Sequence, residues 1–121
     1  MPRSYGQYCP LAITAELLCQ RWTLLVISRL IDGCTRFNEI HRGLPQISPS
    51  LLSKRLSELE KSGLLETRKA GNGAGREYLP TAATLELEPV IEALGVWGQR
   101  WARDMTDEEL NFYERKNEEL L

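Results

Sequence analysis

Ser48-Pro49-Ser50-Leu51-Leu52-Ser53-Lys54-Arg55-Leu56-Ser57-Glu58-Leu59-Glu60-Lys61-Ser62-Gly63 is the stretch that decides the fold. Ser48 is a favourable N-cap, Pro49 suits the first helical turn, and Gly63 is a stop signal, which predicts a helix over 49–62. Leu52, Leu56 and Leu59 fall at i, i+4 and i+7, with Leu51 beside them, and so form the core face. At about 100° per residue the opposite face presents Ser50, Lys54, Ser57 and Lys61, flanked by Ser53. Short hydroxyls around a lysine make a narrow, hydrogen-bonding ridge that can approach a groove closely. The plainer reading is the solvated face that any surface helix has.

Upstream, Thr35-Arg36-Phe37 fits either a short strand or the entry to another helix, whose inner edge is Phe37, Ile40 and Leu44. Leu44-Pro45 ends that helix, because the residue before a proline is pushed out of helical geometry. Downstream, 64–69 and 76–79 are strand-like and flank Ala70-Gly71-Asn72-Gly73-Ala74-Gly75. Three glycines in five residues predict a flexible hairpin tip. A nucleotide-binding glycine loop would open a helix and carry a lysine; this one leads into a strand, which rules that chemistry out. Two short helices, a tight break and a hairpin over 35–79 are the parts of a winged helix-turn-helix, a mainly α class with a small β wing.

The remaining segments frame that core. Residues 1–8 read as an extended arm. Pro10 starts a helix carrying Leu11, Ala15, Leu18 and Cys19 at helical spacing. A second helix from Trp22 to Ile31 is apolar nearly all round through Leu24, Leu25, Val26, Ile27 and Leu30, which predicts burial, and Asp32-Gly33 ends it. Residues 81–121 read as a dimerisation helix to about Met105 followed by an acidic tail. Leu85, Leu87, Val90, Ile91, Leu94, Trp97 and Trp101 form a wide stripe, with Pro89 as a kink or restart. So short a chain is not expected to cover that much aromatic surface alone, which points to a subunit contact; the plainer reading is that the stripe packs back on the chain's own core. Thr106-Asp107-Glu108-Glu109 has capping-box spacing and predicts a last, peripheral helix to Leu120.

At 121 residues, with 42% hydrophobic and 26% charged residues, the chain fits one soluble domain, 1–121. No apolar run reaches the roughly 20 residues of a membrane span, and the first residues lack a signal-peptide core, so a cytoplasmic location is expected. The net charge is −2, but it is unevenly distributed. From Thr35 to Arg76 there are eight Lys/Arg against four Glu; from Leu85 onward there are four Lys/Arg against ten acids. A basic middle and an acidic end suit one face toward DNA and one toward solvent. Cys9, Cys19 and Cys34 lack metal-ligand spacing and cannot all pair, so ordinary thiols are expected, one or two of them in the core. No cofactor or metal is implied. His41, the only histidine, has no nucleophile beside it and reads as a surface or phosphate-adjacent side chain, so the chain is not read as an enzyme.

These blocks resemble the HxlR-type winged-helix transcriptional regulators, a branch near the MarR-type dimers. The resemblance runs from Cys9-Pro10 through Arg21-Trp22-Thr23-Leu24-Leu25-Val26-Ile27, Arg36-Phe37-Asn38-Glu39-Ile40, 47–60 and Gly63-Leu64-Leu65. The chain departs from the family at Tyr78-Leu79-Pro80-Thr81, where Tyr-x-Leu-Thr is usual, and at Thr84, where the family has glycine. The resemblance implies a homodimer joined by its first and last helices, with Leu11, Leu87, Val90, Ile91, Leu94, Trp97 and Trp101 at the interface. It also implies a pseudo-palindromic double-stranded DNA operator read by one helix per half-site. Some family members sense oxidants or electrophiles through a cysteine at the position of Cys9, which makes Cys9 a candidate redox sensor beside the plainer structural reading. A small-molecule effector site near Trp22, Trp97 and Trp101 stands beside ordinary packing in the same way.

On this reading Ser48, Ser50, Ser53, Lys54 and Ser57 face the major groove. Arg36, Arg42 and Arg55 grip the backbone, and Arg68, Lys69, Asn72 and Arg76 set the wing on flanking phosphates or in the minor groove. The rival is a winged-helix protein-interaction module without DNA binding.

Overall fold

The computed structural model describes residues 9–102. The arm expected at 1–8, the helix expected after Thr106 and most of the acidic tail lie outside the described residues. The described elements are α1 (Pro10–Leu18), α2 (Thr23–Ile31), α3 (Phe37–Arg42), α4 (Pro49–Lys61), β1 (Leu65–Lys69), β2 (Arg76–Pro80), α5 (Ala82–Leu85) and α6 (Glu88–Trp97), followed by a π-helical stretch Gly98–Ala102. The chain divides into two compact units, 1–88 and 89–121.

In the first unit α2 is central, packing against α3, α4, α5 and β2. Val26, Ile27 and Leu30 meet Ile40, Leu44, Ile47, Leu52, Leu56, Leu59, Leu64 and Leu65 in one buried core. Each such side chain contributes about 1.5–3 kcal/mol on leaving water. The all-round burial expected of α2 is corrected: Leu25 is 51% exposed, because these neighbours do not cover its side of the helix. In α1 only Leu18 is buried, and Leu11, Ile13 and Leu17 face outward.

The junction of α1 and α2 is sharper than the sequence suggests. Trp22 is not the first helical residue but the N-cap, with a left-handed φ of 77°, a conformation rare for a bulky side chain. The Arg21 guanidinium lies over its ring, 5.7 Å from the centroid. Of the two readings of Thr35-Arg36-Phe37 the helix entry holds: the sheet has two strands, β1 and β2, and neither includes these residues. Thr35 accepts a single 2.7 Å backbone hydrogen bond from the Tyr78 N–H, and Phe37 then opens α3. Leu44 is buried beyond the end of α3 rather than on it.

The α3–α4 turn is held by His41, whose Nε2–H donates to the Ile47 carbonyl at 2.9 Å while its ring stacks on Phe37. That corrects the expectation of a surface or phosphate-adjacent histidine. Ser48 caps α4 by accepting from the Leu51 N–H at 3.2 Å, and Gly63 ends the segment at a φ of +79°.

The strands pair antiparallel, with Arg68 opposite Glu77 and Lys69 opposite Arg76. The tip between them is tied rather than loose. Ala70 N–H bonds Gly75 O at 3.1 Å, Gly73 N–H bonds Ala70 O at 2.9 Å, and Asn72 Oδ1 accepts from Ala74 N–H at 3.1 Å. After β2, Thr81 donates its hydroxyl to Gly63 O at 2.8 Å and its N–H to Leu64 O at 3.2 Å. Buried Thr84 donates its hydroxyl to Leu64 O as well. The residue that departs from the family pattern thus fastens α5 beneath the α4–β1 turn.

The single helix expected from Thr81 is broken at 86–87, where Leu87 N–H bonds Thr84 O. Pro89 lies in the first turn of α6, where a missing N–H costs nothing, so it marks a restart. In the second unit Val90, Leu94 and Trp97 fall at i, i+4 and i+7 of α6 and are all about half exposed. The cysteines are not core residues: Cys9 and Cys19 are exposed at the two ends of α1, and Cys34 is half-buried.

Candidate nucleic-acid interface

Burying Leu52, Leu56 and Leu59 turns the opposite side of α4 outward, and Ser50, Ser53, Lys54 and Ser57 are all exposed there. Lys54 makes no ion pair among the described residues, so its charge is available. Ser48 is exposed at the head of the same helix, but its oxygen is already an acceptor for the cap. The same oxygen lies 3.4 Å from the Ser50 hydroxyl.

Arg55 is corrected. Its side chain is 11% exposed. Nε donates to the Arg21 carbonyl at 2.8 Å and Nη1 pairs with Glu58 at 2.8 Å. The guanidinium therefore ties α4 to the α1–α2 junction instead of presenting a free cation. Arg55 stands one step round the helix from Lys54, with the same charge in different surroundings.

Arg36 and Arg42 bracket α3. Arg42 is exposed, without an ion pair among the described residues. Arg36 is half-buried, and its Nη2 donates to Ala74 O in the wing tip at 2.8 Å. Its backbone N–H is accepted by Glu39 at 3.0 Å.

The wing divides its charges between two faces, because register partners share a face and successive residues alternate. On one face Arg68 Nε and Nη2 both contact Glu77 Oε2 at 3.0 Å. Arg68 remains 65% exposed, but its charge is partly cancelled. On the other face Lys69 and Arg76 are exposed, opposite each other, and form no ion pair among the described residues. Asn72 is exposed, with its carbonyl engaged in shaping the tip and its amide N–H groups without a partner among the described residues.

Glu77 lies one residue beyond the stretch whose charge was counted, and the count overstated the wing's charge by one. The register could have revealed it: residues counted outward in both directions from 72–73 place 68 against 77. Arg29 gave no comparable signal. It lies beneath the α3–α4 turn, donating from Nη2 to Glu39 O at 2.6 Å, and a Cβ on Gly43 would stand 2.2 Å from its Cζ. Nε of Arg29 is buried without a partner. Among the described residues no cluster of His, Cys, Asp or Glu could hold a metal, and no single helix is long and apolar enough to cross a membrane.

Of the expected interface residues, Leu11 is 75% exposed on α1, and Val90, Leu94, Trp97 and Trp101 are exposed in the second unit. Ile91 is half-buried, and Leu87 is half-buried in the 86–87 turn rather than on α6.

The family model described as HxlR-like helix-turn-helix matches residues 17–106. YvaP of Bacillus subtilis, an HTH-type transcriptional regulator, is 33% identical over 98 residues, covering 79% of this chain and 91% of that relative. The quinone-bound structure of YodB from the same organism is similar at a TM-score of 0.66 and 32% identity, covering 77% of this chain and all (100%) of that one. The redox regulator HypR in its reduced form is similar at a TM-score of 0.73 and 29% identity, covering 83% and 99%. With these matches spanning helix ridge, wing and core, the chain belongs to the HxlR-like helix-turn-helix family of DNA-binding transcriptional regulators.

Proposed function

We propose that the chain regulates transcription as a homodimer on a dyad-symmetric operator, placing α4 of each protomer in a major groove and each wing on flanking phosphates. The observation that carries this is the pairing of an unneutralised Lys54 on a serine-lined ridge with the unneutralised Lys69 and Arg76 of the wing. Ser50, Ser53 and Ser57 would choose among base edges and phosphates, and Arg42 would add a backbone contact. Homodimerisation is supported by outward apolar side chains on α1 and along α6, including Leu11, Val90, Leu94 and Trp97, which water alone would solvate poorly.

A response to oxidants or electrophiles is a second reading. It is favoured by the exposure of Cys9 at the head of α1 and by the existence of quinone-bound and redox-state structures among similar regulators. Footprinting the purified protein on the DNA around its own gene, with and without diamide, tests both parts. A protected dyad-symmetric site is the expected result, lost on treatment if a thiol is sensed. Protection without dyad symmetry overturns the dimeric reading, and the same footprint with diamide removes Cys9 from it.

A further inference from the structure

Arg36 stands at the edge of the cationic surface, where it would ordinarily be counted as a phosphate ligand. Its bonds point elsewhere. Nη2 donates to the carbonyl of Ala74, 38 residues away at the tip of the wing, at 2.8 Å. A Cβ on Gly75 would lie 3.6 Å from the same nitrogen, so the guanidinium lies against the tip backbone in ordinary contact. The other end of Arg36 is fixed too, since its N–H is held by the Glu39 carboxylate at 3.0 Å. One residue earlier, Thr35 O accepts the Tyr78 N–H at the middle of β2. The start of α3 therefore holds the wing at two points, through Thr35 midway along β2 and through Arg36 at its tip.

We infer that Arg36 is a positioning residue, a strut that sets where Lys69 and Arg76 stand relative to the α4 ridge, and not itself a phosphate ligand. This inference rests on the DNA-binding reading of α4 and the wing. A hairpin whose tip is tied to the helix-turn-helix presents its two cations at a fixed spacing from the ridge. A hairpin joined only at its base would have to be ordered on each binding event, at a cost in affinity. A charge-assisted hydrogen bond to a backbone carbonyl suits this task, because it depends on tip geometry and not on the tip's side chains.

The test uses full-length protein and a duplex recovered by selection from a random-sequence library. In the free protein, Arg36→Met is expected to speed amide exchange across residues 70–76 while the denaturation midpoint stays in place. On the duplex it is expected to weaken binding about tenfold, with the salt dependence of the wild type. In a Lys69→Ala/Arg76→Ala background the same substitution is expected to have almost no further effect, since the strut then positions nothing. Full additivity in that background, with a salt slope flattened by about 0.9, makes Arg36 a direct phosphate ligand and overturns the inference. Unchanged exchange at 70–76 overturns it without reference to DNA. Failure of the selection to recover any duplex, with exchange accelerated, sinks the DNA-binding reading instead and leaves the strut standing as a property of the free chain.

Discussion

Lys69 and Arg76 face each other across the hairpin as register partners, both exposed and neither joined to an acid among the described residues. Like charges directly opposite one another destabilise a strand pair. An anion between or beside them removes that repulsion, so the hairpin is better satisfied with a phosphate than without one. Lys69→Ala and Arg76→Ala are each expected to leave stability unchanged or slightly raised. Each should weaken binding to all duplex sequences alike and flatten the salt dependence by about 0.9. Titrations at several salt concentrations on selected and unrelated duplexes read both effects; a loss confined to the selected duplex would make these residues base readers.

Lys54 and Arg55 are adjacent cations with opposite surroundings, and their alanine variants should separate accordingly. Lys54→Ala is expected to keep stability within about 0.5 kcal/mol of the wild type and to weaken operator binding strongly. Arg55→Ala should cost about 1–3 kcal/mol, because the Arg21 carbonyl and Glu58 lose their shared partner. Urea denaturation beside gel-shift titration separates them, and unchanged operator affinity for Lys54→Ala removes that residue from the reading face.

The contrast shows what the sequence could and could not convey. Leucine spacing in 52–59 dictates which side of α4 is buried, and the exposed ridge of Ser50, Ser53, Lys54 and Ser57 follows from it. The caps at Ser48 and Gly63 were equally legible, since local backbone geometry follows local residue type. Arg55, Arg36 and Arg29 were not legible. Each guanidinium is claimed by a backbone carbonyl 34, 38 or 10 residues away, and no periodicity carries that information. Likewise the spacing of Leu87, Val90 and Leu94 looked continuous, while the chain breaks at 86–87.

Ser48 has two duties that a single pair of variants can divide. As the cap of α4 it satisfies the Leu51 N–H, so Ser48→Ala is expected to cost about 1 kcal/mol, whereas Ser50→Ala, two residues on, loses only an exposed 3.4 Å contact with the Ser48 hydroxyl and should cost almost nothing. Ser48→Asp keeps the cap but adds a negative charge facing DNA. Its stability should match the wild type while its duplex affinity falls. Equal stability of Ser48→Ala and Ser50→Ala by thermal denaturation contradicts the capping role.

Gly43 is required for the space it leaves and not for its conformation, which is ordinary helical. A Cβ there would stand 2.2 Å from both Cζ and Nε of Arg29, and the guanidinium must swing away to admit it. That movement breaks the bond from Arg29 to Glu39 O, and Gly43→Ala is expected to cost about 1–3 kcal/mol. In an Arg29→Ala background the cost should vanish, since nothing then occupies the space. Additive losses in that double-variant cycle would place the strain elsewhere.

Glu77 is the one acid on the wing's strands that touches a cation among the described residues, and its removal should strengthen DNA binding. Its carboxylate cancels much of the Arg68 charge and repels phosphate on its own account. Glu77→Gln keeps the side chain's shape and one oxygen that can accept from Arg68. The Arg68 side of the lost ion pair is 65% exposed, so stability should change by no more than about 0.2–1 kcal/mol. The wing gains one positive charge, and Arg68 becomes free to reach a phosphate. Affinity for an unrelated duplex at low salt is expected to rise several-fold, with a slope steeper by up to about 0.9. The gain should be larger for unrelated DNA than for a selected site, because phosphate contacts add affinity without discrimination. On this account Glu77 holds non-specific binding in check, and its variant should read DNA more tightly but less selectively. Weaker binding by Glu77→Gln at unchanged stability would mean instead that Arg68 acts only when Glu77 orients it.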